Sequence, residues 1–85
     1  MTETERRQRI ILGGIYFAAG EMIVARKLRE VLEATHGTSL SMDALRGDLL
    51  RLADTGAVQF KDDIVCLTEY GSDAVRSRVK LPGWQ

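Results

Sequence analysis

The sequence predicts one small domain, mainly α-helical with a small β-hairpin, in the order helix, helix, short strand, helix, strand, strand, helix. Its 85 residues are enough for a single hydrophobic core and little more. Apolar residues recur in four segments with the 3.6-residue period of an amphipathic helix. Between the last two segments, apolar and polar residues alternate on both sides of Asp62-Asp63, which is typical of a hairpin. We expect one domain over residues 1–85, with its core at about 5–80 and a C-terminal tail at 81–85.

Composition places the chain among ordinary globular domains, since 45% of the residues are hydrophobic and 28% are charged. Cys66 is the single cysteine, so no disulfide can form within the chain. The first ten residues carry charges of both signs and lack the apolar run and cleavage site of a secretory signal. The most apolar run, residues 10–20, is shorter than the roughly 20 residues of a membrane span. We therefore expect a cytoplasmic protein with no membrane partner.

The net charge bears on possible partners. Twelve basic and twelve acidic residues give a formal net charge of zero. A dedicated nucleic-acid binder is often basic, because releasing counterions from phosphates supplies much of its affinity. The balance therefore counts against tight DNA binding by a monomer, although the placement of the charges matters more than their sum.

The first predicted helix starts after Thr2 or Thr4, because either hydroxyl can accept a hydrogen bond from a free backbone amide. On a helical wheel, one broad apolar arc of this helix is expected to face the core. That arc contains Ile10, Ile11, Gly14, Ile15, Phe17 and Ala18.

A second apolar arc lies on the same helix. It contains Leu12, Tyr16 and Ala19. A small domain has little use for large apolar residues outside its core stripe. Either these residues cover the tail together with Trp84, or the four form the seam of a homodimer, in which Gly13 and Gly20 let another helix approach.

The next segments predict two helices joined by a short linker. The second helix runs from about residue 21 to 36, with Gly37 suited to a left-handed exit. Residues 38–40 form an extended linker that could add a third, very short strand. The third helix spans residues 41–55, with Ser39 or Ser41 as its cap. Its buried stripe is Leu45, Leu49, Leu52 and Ala53.

The hairpin occupies residues 57–67. Pairing Phe60 with Val65, and Val58 with Leu67, places all four side chains on one face. The residues expected to face outward are Gln59, Lys61, Ile64 and Cys66. Thr68 is then expected to cap a fourth helix at about residues 69–80, whose core-facing residues include Tyr70, Ala74 and Val75.

The residues give no sign of an enzyme. No Gly-rich loop is followed by Lys and Ser/Thr, so the P-loop phosphate cradle is missing. One histidine and one cysteine cannot form the common structural zinc sites. The Asp62-Asp63 pair belongs to a turn, whereas general acid–base catalysis needs a pocket that shifts the pKa values of its groups. We expect no catalytic residues, no cofactor and no metal.

Two spaced patterns carry a family resemblance: L-x-x-L-x-x-x-G-x-V over residues 49–58 and V-x-L-T-x-x-G-x-x-A over residues 65–74. Together they resemble the recognition helix, wing and following helix of bacterial and archaeal winged helix-turn-helix regulators. In those families the Leu-Thr-x-x-Gly step ends the wing and starts the next helix. The first two helices fit the same topology, so the resemblance covers about residues 5–80.

The resemblance implies that helix 41–55 enters the major groove, with its N-terminal half toward the bases, and that hairpin 57–67 is the wing. Arg46 is the residue best suited to contact a base, because its guanidinium group can donate two hydrogen bonds to guanine O6 and N7. The implied DNA-binding residues are Thr38, Ser41, Met42, Arg46, Gly47, Arg51 and Lys61. The carboxylates expected to oppose binding by facing the phosphates are Asp43, Asp48, Asp62 and Asp63.

Two functions are therefore expected. The first is a small winged-helix transcriptional regulator, homodimeric, that binds double-stranded DNA. The alternative is a winged-helix protein–protein interaction or assembly module, for example one encoded by a phage or mobile element, that binds no DNA. It would use the outward face at Ile64 and Cys66 or the second arc of helix one. A positive stripe around helix three favours the first function, and a neutral surface favours the second.

Overall fold

A computed structural model describes residues 1–37 and 39–85 of the chain. Four α-helices and a three-stranded antiparallel sheet make up the described part. The helices are α1 (Glu3–Tyr16), α2 (Ala25–His36), α3 (Met42–Asp54) and α4 (Glu69–Val75), and a short 3-10 turn spans Ala19–Glu21. The strands are β1 (Met22–Val24), β2 (Val58–Lys61) and β3 (Ile64–Leu67).

The hairpin forms with the predicted register. Val58 pairs with Leu67 and Phe60 pairs with Val65 across the antiparallel strands β2 and β3. Asp62 and Asp63 make the turn with φ of 54° and 62°. Two successive left-handed residues are what a two-residue hairpin turn needs, because their twist matches that of the strands. Aspartate tolerates this conformation better than most side chains.

The third strand lies elsewhere than predicted. It is β1, between α1 and α2, where it pairs with β3 so that Ile23 lies opposite Val65. The prediction of a strand at residues 38–40 is wrong for Ser39 and Leu40, which are not in a strand, and Thr38 lies outside the described residues. The second helix consequently begins at Ala25 rather than at residue 21.

The central helix of the fold is α1, which packs against α2, α4, β1 and β3. Ile11 and Ile15 are buried, as predicted. Leu12 is 0% exposed and belongs to the core, so the prediction that it lies outside the core stripe is wrong. Because neighbours cover α1 on several sides, its buried face is wider than one stripe. Phe17 was expected in the core but follows the last residue of α1 and is 84% exposed.

The C-terminal residues belong to the folded domain. The fourth helix ends at Val75 rather than near residue 80, and Ser77 has a left-handed φ of 62°. The chain then turns back, and Leu81 is buried in the core. The expectation of a tail outside the core at 81–85 is therefore wrong for Leu81. Within the described residues, no helix has both the length and the apolar character needed to cross a membrane.

Candidate functional site

The side of α3 that faces solvent is set by its buried stripe. Leu45, Leu49 and Leu52 are fully buried, as predicted, and fix the rotation of the helix. The Ser41 hydroxyl accepts a hydrogen bond from the Ala44 amide at 3.1 Å and so caps the helix. The exposed residues of α3 are Asp43, Arg46, Leu50, Arg51 and Asp54. The exposed side of α3 is therefore mixed in charge.

Arg46 joins α3 to the tip of the hairpin. Its guanidinium donates two hydrogen bonds to the Asp63 carboxylate, from Nε at 2.9 Å and from Nη2 at 3.0 Å. This pairing raises the pKa of Arg46 and lowers the pKa of Asp63 relative to their ordinary values. The backbone carbonyl of Asp63 also accepts a hydrogen bond from the Ala25 amide at 2.8 Å. One residue thus ties the hairpin tip to both α3 and the start of α2.

A second ionic contact links α3 to α1. The Asp48 carboxylate accepts hydrogen bonds from the guanidinium groups of Arg7 and Arg51, the latter at 3.2 Å. The Asp48 side chain is only 11% exposed. The prediction that Asp48 faces the phosphates of DNA is therefore wrong, because this carboxylate is nearly buried and serves to join two helices. Arg51 keeps most of its side chain in solvent.

The remaining predicted DNA-binding residues occupy varied positions. Met42 packs partly against the core, and Gly47 is half-buried with open space where a Cβ would be. Lys61 is exposed at the end of β2 and makes no ion pair with a described residue. Thr38 lies outside the described residues. The three basic residues of α3 and the hairpin stand among five acidic ones, so these elements form no continuous basic stripe.

The four predicted dimer residues do not form one surface. Leu12 is buried within its own chain and cannot contact a partner, which corrects that prediction. The Tyr16 hydroxyl accepts a hydrogen bond from Arg76 Nε at 3.1 Å. Ala19 is exposed in the 3-10 turn.

Trp84 folds back onto α1. Its Nε1 donates a hydrogen bond to the Gln8 side chain at 2.7 Å, and the Arg9 guanidinium lies 4.2 Å from its ring centroid. The Glu5 carboxylate accepts hydrogen bonds from Arg9 Nε and from the Gln85 amide, both at 2.8 Å. The last residues of the chain therefore cover the first half of α1. Of the two alternatives for Trp84, packing of the tail within the chain is the one observed, rather than a dimer seam.

An apolar groove that the sequence did not predict lies between α1 and α2. We call it the α1–α2 groove; it has a volume of about 520 Å³. Its lining residues are Arg9, Ile10, Gly13, Gly14, Phe17, Ala18, Ile23, Val31, Leu32, Thr35 and His36. Only Arg9, Thr35 and His36 in this lining carry polar side chains. Sequence reasoning missed the groove because it placed Phe17 in the core, although Gly20 signalled that the helix ends nearby.

A second apolar surface lies on the outer face of the sheet. Met22, Val24 and Ile64 are exposed there, and Cys66 is half-buried. Met22 pairs with Cys66 and Val24 with Ile64, so the four side chains share one face of two neighbouring strands. This face extends the predicted outward Ile64 and Cys66 surface by the two residues of β1.

No protein-family profile, curated protein or solved structure matches this chain. The described residues also bring together no group of three His, Cys, Asp or Glu side chains that could hold a metal ion. The features of the molecule that bear on its function are therefore α3, the hairpin and the α1–α2 groove.

Proposed function

We propose that this chain is a winged helix-turn-helix protein that binds double-stranded DNA and regulates transcription in the cytoplasm. In this proposal α3 enters the major groove and the β2–β3 hairpin is the wing. The observation that supports it best is the two-bond contact between Arg46 and Asp63. It holds the exposed side of the helix and the tip of the hairpin together as one surface.

The Arg46–Asp63 pair also limits the expected affinity. DNA would have to compete with Asp63 for the guanidinium of Arg46. Both side chains are more than a third exposed, so water screens the pair and holds it only weakly together. A bidentate contact to guanine discriminates against the wrong base by about 1–3 kcal/mol, so an Arg46 released from Asp63 would supply base specificity. With carboxylates nearby, we expect monomer affinity in the non-specific range, about 10⁻⁴–10⁻⁶ M.

Fluorescence anisotropy with mixed genomic duplexes at low salt tests the proposal. We expect binding that weakens steeply as salt is added, because each neutralised phosphate releases counterions. Asp62→Asn should strengthen binding, since it removes an exposed carboxylate from the hairpin tip. Arg51→Ala should weaken it and reduce the salt dependence by about one phosphate contact.

Glu33→Gln is the matched control for Asp62→Asn. It removes the same charge from an exposed position on α2. Glu33 lies eight residues beyond Ala25, which contacts the hairpin tip, and this separation is about 12 Å along the helix. Equal effects of Asp62→Asn and Glu33→Gln would mean that only total charge matters and that the hairpin makes no contact. No binding by the wild type or by Asp62→Asn at low salt would refute DNA binding.

The second candidate function is a protein-interaction or assembly module. It is favoured by the α1–α2 groove and by the exposed Phe17 beside it. Large exposed apolar patches on soluble proteins commonly mark interaction sites. If DNA binding fails, and substitutions in the groove change the assembly state while substitutions on α3 do not, this second function replaces the first.

A further inference from the structure

We infer that the α1–α2 groove binds a second copy of this chain, and that each copy inserts Phe17 into the groove of the other. Phe17 is the most exposed large apolar side chain of the described residues, at 84%. It stands at the rim of the α1–α2 groove, which the same helix lines. The Phe17 ring and the groove are therefore two complementary apolar surfaces, and contacts within the chain leave both of them exposed to water.

The size and polarity of the groove suit an aromatic side chain. Its volume of about 520 Å³ exceeds what one phenylalanine ring needs, and most of its lining residues are apolar. The polar side chains in the lining are few, and Arg9 is already held by Glu5 and by the ring of Trp84. A charged or strongly polar occupant would therefore find few partners inside the groove and would lose its hydration.

The positions of the groove and of Phe17 along α1 favour a symmetric pair. If two copies of α1 pack antiparallel about a two-fold axis at Gly13, position 17 of one copy lies beside position 9 of the other. Four residues separate Gly13 from each of these positions, about 6 Å along the helix. Arg9 and Ile10 line one end of the groove, so each ring reaches the partner's groove. The same contact is then made twice, as a closed two-fold interface requires.

Gly13 allows the close approach that this arrangement needs. A Cβ built on Gly13 would meet nothing within 4 Å, so this side of α1 is open. Gly14 differs, because its Cβ would lie 2.9 Å from a methyl group of Leu28. Gly14 therefore serves packing inside the chain, whereas no contact within the chain requires a glycine at position 13. Close packing of a second helix backbone against position 13 would explain why this residue is glycine.

The area involved indicates a weak dimer. Burying one aromatic side chain removes about 150–250 Å² from water. Two Phe17 rings and two matching groove surfaces together bury roughly 600–1,000 Å². This lies below the 1,200–2,000 Å² of standard interfaces, in the range of weak or transient association. We therefore expect dissociation constants of micromolar order.

Sedimentation equilibrium of the full chain, from about 1 to several hundred micromolar, tests the inference without any DNA. We expect a reversible monomer–dimer equilibrium in the wild type and at least a roughly 100-fold higher Kd for Phe17→Glu, because each copy would bury a carboxylate. Leu50→Glu is the control, since Leu50 is a large apolar residue on α3 that is also exposed, at 56%. It should leave the dimer unchanged.

Gly13→Ala separates docking from folding. Alanine favours a helix interior over glycine, so the melting temperature of the dilute monomer should rise by roughly 4–8 °C. The added methyl group should nevertheless raise the dimer Kd by about tenfold, because it separates the two backbones. A folding defect cannot produce this combination.

Three outcomes would overturn the inference. The first is a wild-type chain that stays monomeric at all concentrations, which would leave the groove to a different protein or to a small apolar ligand. The second is equal weakening by Phe17→Glu and Leu50→Glu. The third is a dimer that Gly13→Ala leaves unchanged or strengthens. The inference does not depend on DNA binding, so anisotropy and sedimentation can fail separately.

Discussion

Replacing Gly71 with alanine should destabilise the domain far more than a single methyl group suggests. Gly71 lies in the first turn of α4, where the Thr68 hydroxyl accepts a hydrogen bond from its amide at 3.0 Å. The same hydroxyl lies 2.6 Å from the Gly56 carbonyl oxygen and 2.9 Å from that of Ala57, and can donate to either. These bonds draw the start of α4 onto the loop before β2.

The close approach leaves no room for a side chain at position 71. A Cβ there would lie 2.0 Å from the Ala57 carbonyl oxygen and 2.8 Å from a methyl group of Leu67. Leu67 can change rotamer, but the Ala57 carbonyl is backbone and is held by a hydrogen bond from the Thr68 amide at 3.1 Å. Relief therefore requires α4 to move by more than about 1 Å, which would strain both the cap and the core.

We expect Gly71→Ala to lower the free energy of unfolding by about 3 kcal/mol, the upper end of the usual cost of overpacking. The helix propensity gained by replacing glycine, about 1 kcal/mol, is too small to offset it. For a domain of this size the loss corresponds to a melting temperature lower by roughly 12–24 °C. Thermal unfolding followed by far-UV circular dichroism measures it.

Gly47→Ala is the control for this prediction. It makes the same substitution within α3, where a Cβ would meet nothing within 4 Å. It should stabilise the chain by up to about 1 kcal/mol, because alanine favours the helix. A lower free energy of unfolding for Gly71→Ala together with a higher one for Gly47→Ala would support the close contact between Gly71 and Ala57. A Gly71→Ala chain as stable as the wild type would refute it.

Two further predictions concern buried charges on or against α1. Hydrogen bonds from the Gln85 amide and Arg9 hold the pKa of the buried Glu5 carboxyl below its ordinary value of 4.5. The stability that this carboxylate contributes is therefore full above pH 4.5 and is lost as pH falls through its folded-state pKa. Glu5→Gln should lower the melting temperature at pH 7 and approach the wild type in acid, whereas the exposed Glu3→Gln should change little; a constant Glu5→Gln difference down to pH 2 would contradict this. Asp48→Ala should cost about 1–3 kcal/mol, because it removes the acceptor shared by Arg7 and Arg51. Urea unfolding measures this loss, and a cost no larger than that of the exposed Asp54→Ala would count against the Asp48 contact.

The elements that local chemistry specifies were predictable. Thr68 caps its helix as predicted, and Thr2 and Ser41, each one of two predicted candidates, cap theirs; each accepts a backbone hydrogen bond. The hairpin register followed from strand alternation, because shifting it by one residue would turn the apolar side chains to solvent. These features depend on neighbours within a few positions in the sequence, so a single chain contains the information.

The strand β1 was not predictable in the same way. Met22, Ile23 and Val24 also fit the start of an amphipathic helix, and three residues are too few to distinguish periods of 2 and 3.6. Their strand conformation depends on pairing with β3, some forty residues later in the chain. The left-handed residues Gly20 and Glu21 redirect the chain just before the strand, and only Gly20 was visible as a signal.

The candidate site shows why charges and apolar arcs mislead when read from a helical wheel. The family resemblance implied that Asp48 opposes DNA and that Arg46 is free to contact a base, yet both are held in ion pairs with residues distant in sequence. The helical wheel of the first helix placed Leu12 outside and Phe17 inside, because it treats one stripe as the core and extends the helix past its end. With α1 central, Leu12 is buried and the chain turns away at Phe17. An apolar residue predicted inside but exposed beside a groove marks a surface that another molecule is expected to cover, and here the groove and Phe17 lie on the same helix.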